Sequence, residues 1–297
     1  MLSSESLNSP IFLNAFTIGS FSFMAIILHE NFTFSTCVGK NLLTSFSSHD
    51  ILLLMAELSD RQIKILKAVI EEYIESGQPI GSEILEKKYE LGVSPATIRN
   101  EMAKLIESGF LKQPHTSAGR IPTKEAFRFY IDRLMEEKKL SVVDEVAARE
   151  KIWDFRFDFD HLMHHTVKAL ADQTRTLALA ITKEGEVYHA GYSHILEMPE
   201  FFDIDVTRTI LSMLEELAQV RRLFEKTFDE NPIHFLFGEE LGYDYLEPCG
   251  MVFTSFEVGP KKSGSLGIVG SNRLNYALVI PTVRYYAKLI EELAANL

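Results

Sequence analysis

An α+β fold in two parts is what this 297-residue sequence predicts. Three observations predict it. Residues 59–123 carry three short helical patterns, each with its own cap, followed by a hairpin pattern. Residues 177–269 carry short β-like runs separated by turn residues. Amphipathic helical patterns flank those runs on both sides, which predicts a helix-flanked antiparallel sheet.

The elements follow in order. Ser59 caps a helix running to about Ser76, with Gly77 as its stop and Ile63, Leu66, Ile70 and Tyr73 at helical spacing. Gln78-Pro79 breaks the chain, and Ser82 opens a shorter helix through Tyr89 that is expected to bury Ile84 and Leu85. Leu91-Gly92-Val93 forms a turn. Ser94 then caps a third helix with Pro95 at its first position, where a missing N–H costs nothing. This helix is expected to bury Ile98, Met102, Leu105 and Ile106 and to stop at Gly109. Phe110–Gln113 and Arg120–Pro122 read as the arms of a hairpin with its tip at Pro114–Gly119, and Thr123 caps a fourth helix with the stripe Phe127, Tyr130, Ile131 and Leu134. Three helices and a hairpin in this order predict a winged helix-turn-helix.

Further along, 139–150 reads as a linker or exposed helical connector, and His161–Gln173 as a helix. Asp154–Asp160 alternates acids with Phe155, Phe157 and Phe159, which suggests one buried and one exposed face. Strands are expected at Leu177–Thr182, Val187–Ile195, Ile233–Phe237, Gly250–Phe256 and Ser265–Val269, with a long helix over Val206–Phe228. Leu274–Leu293 has a strand-like start and a helical finish.

The net charge of −12 excludes a surface coated in nucleic acid, but not one local basic face. Such a face exists. Between Lys87 and Thr123, six basic residues (Lys87, Lys88, Arg99, Lys104, Lys112, Arg120) stand against three acidic ones (Glu90, Glu101, Glu107). On the third helix, short Ala96 and Thr97 permit close approach to a major groove, and Arg99 and Asn100 suit guanine and adenine edges. Ser94, Thr97 and Lys104 suit phosphates, and Lys112, His115 and Arg120 on the hairpin suit the backbone or minor groove. An ordinary solvated helix face would look similar in isolation; the three-helix setting and the basic hairpin favour double-stranded DNA.

Other chemistry is thinner. Cys37 and Cys249 lack paired spacing, so neither a disulfide framework nor a zinc finger is expected, and a reducing cytoplasm is the simplest setting. His161, His164 and His165 share a helix face without a completing ligand, so no metal is expected. Gly264, Gly267 and Gly270 do not fit a dinucleotide fingerprint and read as close strand packing. No cofactor is expected. No P-loop, nucleophile elbow or zinc-protease helix is present, so an enzyme with an accessory winged helix is disfavoured. Residues 1–54 differ in character from the rest. Within them, Ser6–His29 has no charge, is rich in Phe, Ile and Leu, and lacks the basic start of a secretory signal. They read as a leader outside the working fold that starts near Met55; a membrane anchor or a packed N-terminal element are the alternatives.

Leu58–Leu134 resembles the N-terminal domain of the heat-inducible transcription repressor family, HrcA. The matching runs are Leu58–Gln62, Tyr73–Ser82, Val93–Met102 and Gln113–Thr123. A weaker resemblance continues through Gly191–Phe201 and Gly264–Gly270, with Arg273 and Tyr276. The resemblance implies a winged helix-turn-helix over 55–138 and a GAF-like regulatory and dimerisation domain over 151–297. It implies a homodimeric repressor of chaperone genes on an inverted-repeat operator, with the GroE chaperonin favouring the active form. Two departures stand out. Ser271-Asn272-Arg273-Leu274 replaces the usual Pro-Thr-Arg-Met, and the turn Lys183–Glu186 runs directly into Val187, where members carry a large insertion that helps them dimerise. One winged helix reads only a half-site, so a dimer is still required. An alternative is a winged-helix regulator gated by a small molecule in the GAF-like domain.

Overall fold

The computed structural model describes residues 14–18, 21–25, 58–225, 232–259 and 262–295. Within the leader, β1 (Asn14–Ile18) pairs antiparallel with β2 (Phe21–Ala25); the expectations for the rest of residues 1–54 lie outside the described residues. Leu58–Leu297 forms a single compact unit.

Helix α1 (Asp60–Ser76) starts with a reciprocal cap. Ser59 accepts from the Gln62 N–H, and the Gln62 side chain accepts from the Ser59 N–H. It ends at Gly77, whose left-handed backbone lets its N–H reach the Tyr73 carbonyl. Helix α2 (Ser82–Lys88) is only seven residues long. It buries Leu85 and Ser82 but leaves Ile84 41% exposed, which corrects the expected burial of Ile84. Seven residues make about two turns, and of its two apolar positions only Leu85 faces inward. Helix α3 (Pro95–Glu107) buries Ile98, Met102 and Leu105, while Ile106 is half-buried.

The hairpin is shorter than its sequence suggests, with β3 (Leu111–Lys112) paired antiparallel to β4 (Ile121–Pro122). Its base is held by a mutual backbone pair between Ile80 and Arg120, 2.8 Å each way. Gly119 permits this approach: a Cβ there would lie 2.5 Å from the Ile80 carbonyl. Thr123 caps α4 (Lys124–Phe129), which continues into a π-helical turn over Tyr130–Leu134.

The segment read as a linker holds most of a helix, α5 (Val142–Trp153), capped by Ser141. Ala148 and Ile152 are buried on its inner face, while Val142, Val143 and Val146 are exposed. Phe155 and Phe157 lie in a turn rather than a strand. Phe155 stacks on His165, whereas Phe157 is 74% exposed and sits against Arg156.

The second part has a five-stranded antiparallel sheet built from β5 (Leu177–Thr182), β6 (Val187–Ala190), β7 (His234–Phe237), β8 (Cys249–Val258) and β9 (Lys262–Ser271), in the order β6-β5-β9-β8-β7. One face is covered by α6 (Phe159–Thr174) and α10 (Tyr276–Ala294). The other is covered by α7 (Tyr192–Ile195), α8 (Ile204–Glu215) and α9 (Leu217–Phe224), where Leu177, Leu179, Met251 and Phe253 pack with Ile195, Ile210, Val220 and Phe224. Coverage on both faces explains why every residue of β5 is buried and its sequence shows no polar alternation. Gly267 supports the close-packing reading of the glycines, since a Cβ there would meet Val252 O at 2.5 Å.

Three expected elements differ. The strand expected over Val187–Ile195 ends at Ala190 and gives way to α7. The long helix expected over Val206–Phe228 is split at Glu216, whose extended backbone separates α8 from α9. The strand-like start expected at Leu274 does not form: residues 272–275 are irregular, and α10 starts at Tyr276 and keeps Pro281 inside it. Proline cannot donate to the carbonyl four residues back, and that carbonyl, on Ala277, accepts the Lys138 N–H instead at 2.9 Å.

Candidate nucleic-acid interface

The helix α3 begins where the sequence places it. Ser94 Oγ accepts from the Thr97 N–H at 3.3 Å and lies 3.1 Å from Thr97 Oγ1. These two hydroxyls hold the first turn, so their role is to shape the helix start. Ala96, Arg99 and Asn100 are exposed, and no side chain of the described residues pairs with Arg99 or Asn100. They stand three and four residues after Ala96, which places both beside it on the outer face, opposite the buried Ile98, Met102 and Leu105. An unpaired guanidinium and an unpaired amide next to a small side chain can present bidentate donors and acceptors to base edges.

The remaining expected contacts are placed differently. Lys104 pairs with Glu101 at 3.1 Å, so its charge is partly answered within the helix. On the hairpin, His115 is exposed at the tip. Gln113 holds that tip by donating to the Thr116 and Ala118 carbonyls at 2.8 and 3.2 Å. Arg120 turns back on its own hairpin: one terminal nitrogen donates to Ala118 O at 3.1 Å, and its Nε is buried with no hydrogen-bond partner. Lys112 pairs with Glu247, which lies just before β8. The structure therefore brings Ala96, Arg99, Asn100 and His115 to the surface with free side chains and engages Lys104, Lys112 and Arg120 internally.

Two basic residues outside the expected set lie beside α3. Arg61 and Lys64 are exposed on the first turns of α1 and carry no ion pair among the described residues. They line a cavity of about 250 Å³ with Leu91, Gly92 and Val93, the turn that leads into Ser94. Counting charge only from Lys87 onward missed them; a spacing of three on one helix face was the available signal.

Helix α4 and the segment after it join the sheet and α10 through several contacts, and Arg273 adds one to α1. Phe127 stacks on Phe237 at 5.9 Å and 14° and lies 5.9 Å from Tyr276. Arg128 donates to Glu240 at 2.6 Å and to Phe235 O at 3.3 Å. Arg284 pairs with Glu137 at 2.8 Å. Arg273 donates through Nε and a terminal nitrogen to Glu200, and through the other terminal nitrogen to Ile74 O at 3.4 Å. Burial pushes the Glu200 carboxyl up, but the Arg273 and Ser271 hydrogen bonds outweigh it and hold that carboxyl below its ordinary value. The Tyr276 hydroxyl, fully buried, donates to Asn272 O at 2.6 Å, and burial pushes its pKa well up.

The histidines at 161, 164 and 165 do not converge. His165 stacks on Phe155, His164 meets Tyr188 edge-on at 5.0 Å, and His161 lies 3.5 Å from Asp158. Among the described residues no group of three or more His, Cys, Asp or Glu is arranged to hold a metal. Among the same residues no helix is long and apolar enough to cross a membrane.

Residues 119–280 match the family described as HrcA protein C terminal domain. The chain is also similar to the heat-inducible transcription repressor HrcA of Carboxydothermus hydrogenoformans, 26% identical over 339 residues, covering 80% of this chain and 99% of that protein. The protein of the same name from Syntrophobacter fumaroxidans is 28% identical over 341 residues, covering 80% and 98%. Four-fifths of 297 residues align over 339 positions, which leaves roughly 100 positions of the first relative opposite no residue of this chain. Among solved structures, a hypothetical protein determined at 2.2 Å shares the fold with a TM-score of 0.63 at 18% identity, covering 81% of this chain and 98% of that one.

Proposed function

This chain belongs to the HrcA family, and on that premise we propose that it is a dimeric, sequence-specific DNA-binding repressor of heat-shock genes. In this reading α1–α3 and the β3–β4 hairpin are a winged helix-turn-helix, and the sheet with its helices is a GAF-like regulatory domain. The observation that carries it is the outer face of α3, where Arg99 and Asn100 stand exposed and unpaired beside Ala96 on a helix capped at its N-terminus by Ser94. Arg99 and Asn100 read base edges; His115, Lys104, Lys112 and Arg120 meet the backbone, and Ser94 and Thr97 set the helix start. Lys104 and Lys112 exchange their carboxylate partners for phosphates on binding. The Lys112–Glu247 pair is exposed and worth only about 0–1 kcal/mol, so its exchange costs little; Glu101 is buried beside Lys104, so that exchange costs more.

The operator is an inverted repeat, because one copy reads one half-site and the second copy supplies the other. The β5–β6 connection supports a dimer surface unlike that of longer members. Thr182 and Glu186 close a tight turn, the Thr182 N–H donating to Glu186 O at 2.9 Å, at the position where the relatives' extra residues are expected. In this reading the GroE chaperonin favours the folded, DNA-competent form and heat lowers its population.

The test is operator binding by the full chain over a salt series, with Arg99→Ala and Asn100→Ala combined. Each bidentate base contact contributes about 1–3 kcal/mol of discrimination, so the double variant is expected to lose specific binding and keep non-specific binding. Specific binding that survives the double substitution overturns the residue assignment.

A further inference from the structure

A cleft of about 290 Å³ lies where the end of α6, helix α7 and the end of β9 meet. Thr174 and the cap residue Arg175 line it at the end of α6, His194 on α7 and Glu197 just after it, and Ser271 at the end of β9 with Arg273 two residues beyond. We propose that this cleft binds a small hydroxylated anion, a phosphate monoester or a hydroxy-carboxylate, and that occupancy acts on DNA binding through Arg273. The site itself is argued independently of the repressor reading; its effect on DNA rests on that reading.

Three observations converge on a ligand of this class. The first is the pair of guanidinium groups. Arg175 pairs with Glu197, and both side chains are more than half exposed, so an incoming anion can take the place of Glu197 at little cost. Arg273 is held by Glu200 and Ile74 O. A guanidinium has five N–H donors and these bonds use three, so Arg273 can reach a ligand without giving up Glu200.

The second is His194. Its Nε2 lies 3.1 Å from Asp172 Oδ1, while its Nδ1 is buried with no hydrogen-bond partner. When Nε2–H donates to the Asp172 carboxylate, Nδ1 presents a lone pair that is satisfied by a hydroxyl donor. A buried polar atom left unpaired costs stability, which a ligand hydroxyl would recover.

The third is the conformation of Arg175. It occupies the cap after α6 at φ 55° and ψ 43°, and it is the one non-glycine residue with left-handed φ among the described residues. Glycine or asparagine usually fills such a cap; here the position carries a guanidinium that lines the cleft. The cleft is near the lower end of metabolite-pocket volumes, which suits a three- or four-carbon compound rather than a nucleotide.

Arg273 also supplies the route to DNA. The same guanidinium that lines the cleft holds the last turn of α1 at Ile74 O, and Gly77 packs directly against it. A ligand that draws on this group changes how firmly the DNA-reading helices are held, and by linkage DNA binding changes ligand affinity by the same factor.

The experiment is isothermal titration of the full chain with glycerol 3-phosphate, glycerate, inorganic phosphate and glycerol, repeated on Arg175→Gly. Glycine suits the left-handed cap, so this variant is expected to fold at least as well as the parent. Saturable binding of glycerol 3-phosphate or glycerate, none of glycerol, and at least tenfold weaker binding by Arg175→Gly are expected. Which of the two anions binds tighter separates phosphate from carboxylate. Absence of saturable binding by both, or binding that Arg175→Gly leaves unchanged, overturns the site; inorganic phosphate binding as tightly as glycerol 3-phosphate overturns the role of the hydroxyl. A ligand that binds but leaves operator affinity unchanged overturns the Arg273 relay alone. A parent chain that binds ligand but no operator sinks the repressor reading and leaves the site standing.

Discussion

Arg273 donates to the main-chain oxygen of Ile74 at 3.4 Å, tying the residue two places after β9 to the last turn of α1, 199 positions away in sequence. The same guanidinium holds Glu200. One side chain thus fastens three segments: the end of the sheet, the turn before α8, and the first helix of the proposed DNA-reading part.

Arg273→Ala is expected to destabilise the chain by about 2–3 kcal/mol, somewhat below the about 3–5 kcal/mol seen when one partner of a fully buried pair is removed. Glu200 is then left largely buried, at 17% side-chain exposure, without its cation. Arg273→Lys is expected to recover only part of the loss, because an ammonium cannot reach Glu200 in two places and Ile74 O as well. Urea unfolding of the three proteins measures both effects. Equal stability of Arg273→Ala and the parent contradicts the fastening role.

The same pair predicts a pH dependence. The Glu200 carboxyl titrates below its ordinary value of 4.5 in the folded chain, because burial, which raises it, is outweighed by its hydrogen bonds to Arg273 and Ser271. A group with a depressed folded value contributes stability that is present above the unfolded value and lost as pH falls through the folded one. Stability is therefore expected to drop below about pH 4.5 more steeply in the parent than in Glu200→Gln, with the two curves parallel from pH 5 to 7. Unfolding free energies over pH 3–7 decide it; curves that stay parallel below pH 4.5 exclude Glu200 as the responsible group.

Local chemistry was legible in the sequence, and contacts between distant segments were not. The cap at Ser59, the stop at Gly77 and the cap at Ser94 depend on residues within four positions of each other, and all three form; the reciprocal bond from Gln62 is added by the structure. The β5, β8 and β9 strands were legible from apolar runs bounded by turn residues. The break at Glu216 was not, because apolar spacing continues across it and only packing on the sheet divides α8 from α9. Burial of Ile84 was misjudged because pattern alone does not say how many neighbours a seven-residue helix has. At the candidate interface, Arg99 and Asn100 were legible as exposed. The partners of Lys112, Arg175 and Arg273 are set by tertiary approach and left no local trace.

Lys112 offers the last prediction. It sits on β3 at the proposed DNA face, yet its ammonium is paired with Glu247 before β8. Phosphate and Glu247 therefore compete for one cation. Removing the carboxylate leaves nothing to displace, so Glu247→Gln is expected to tighten operator binding at low salt. Lys112→Ala removes one phosphate contact, so it is expected to flatten the fall of log K with log salt by about 0.9. Both side chains are about half exposed or more, so the stability of the chain is expected to change by less than about 1 kcal/mol. Lys112→Ala is expected to abolish the gain, and a double-mutant cycle with Glu247→Gln isolates the coupling. If Lys112→Ala leaves the slope where it was, Lys112 does not reach a phosphate, and the hairpin's part in DNA binding rests on His115 and Arg120 alone.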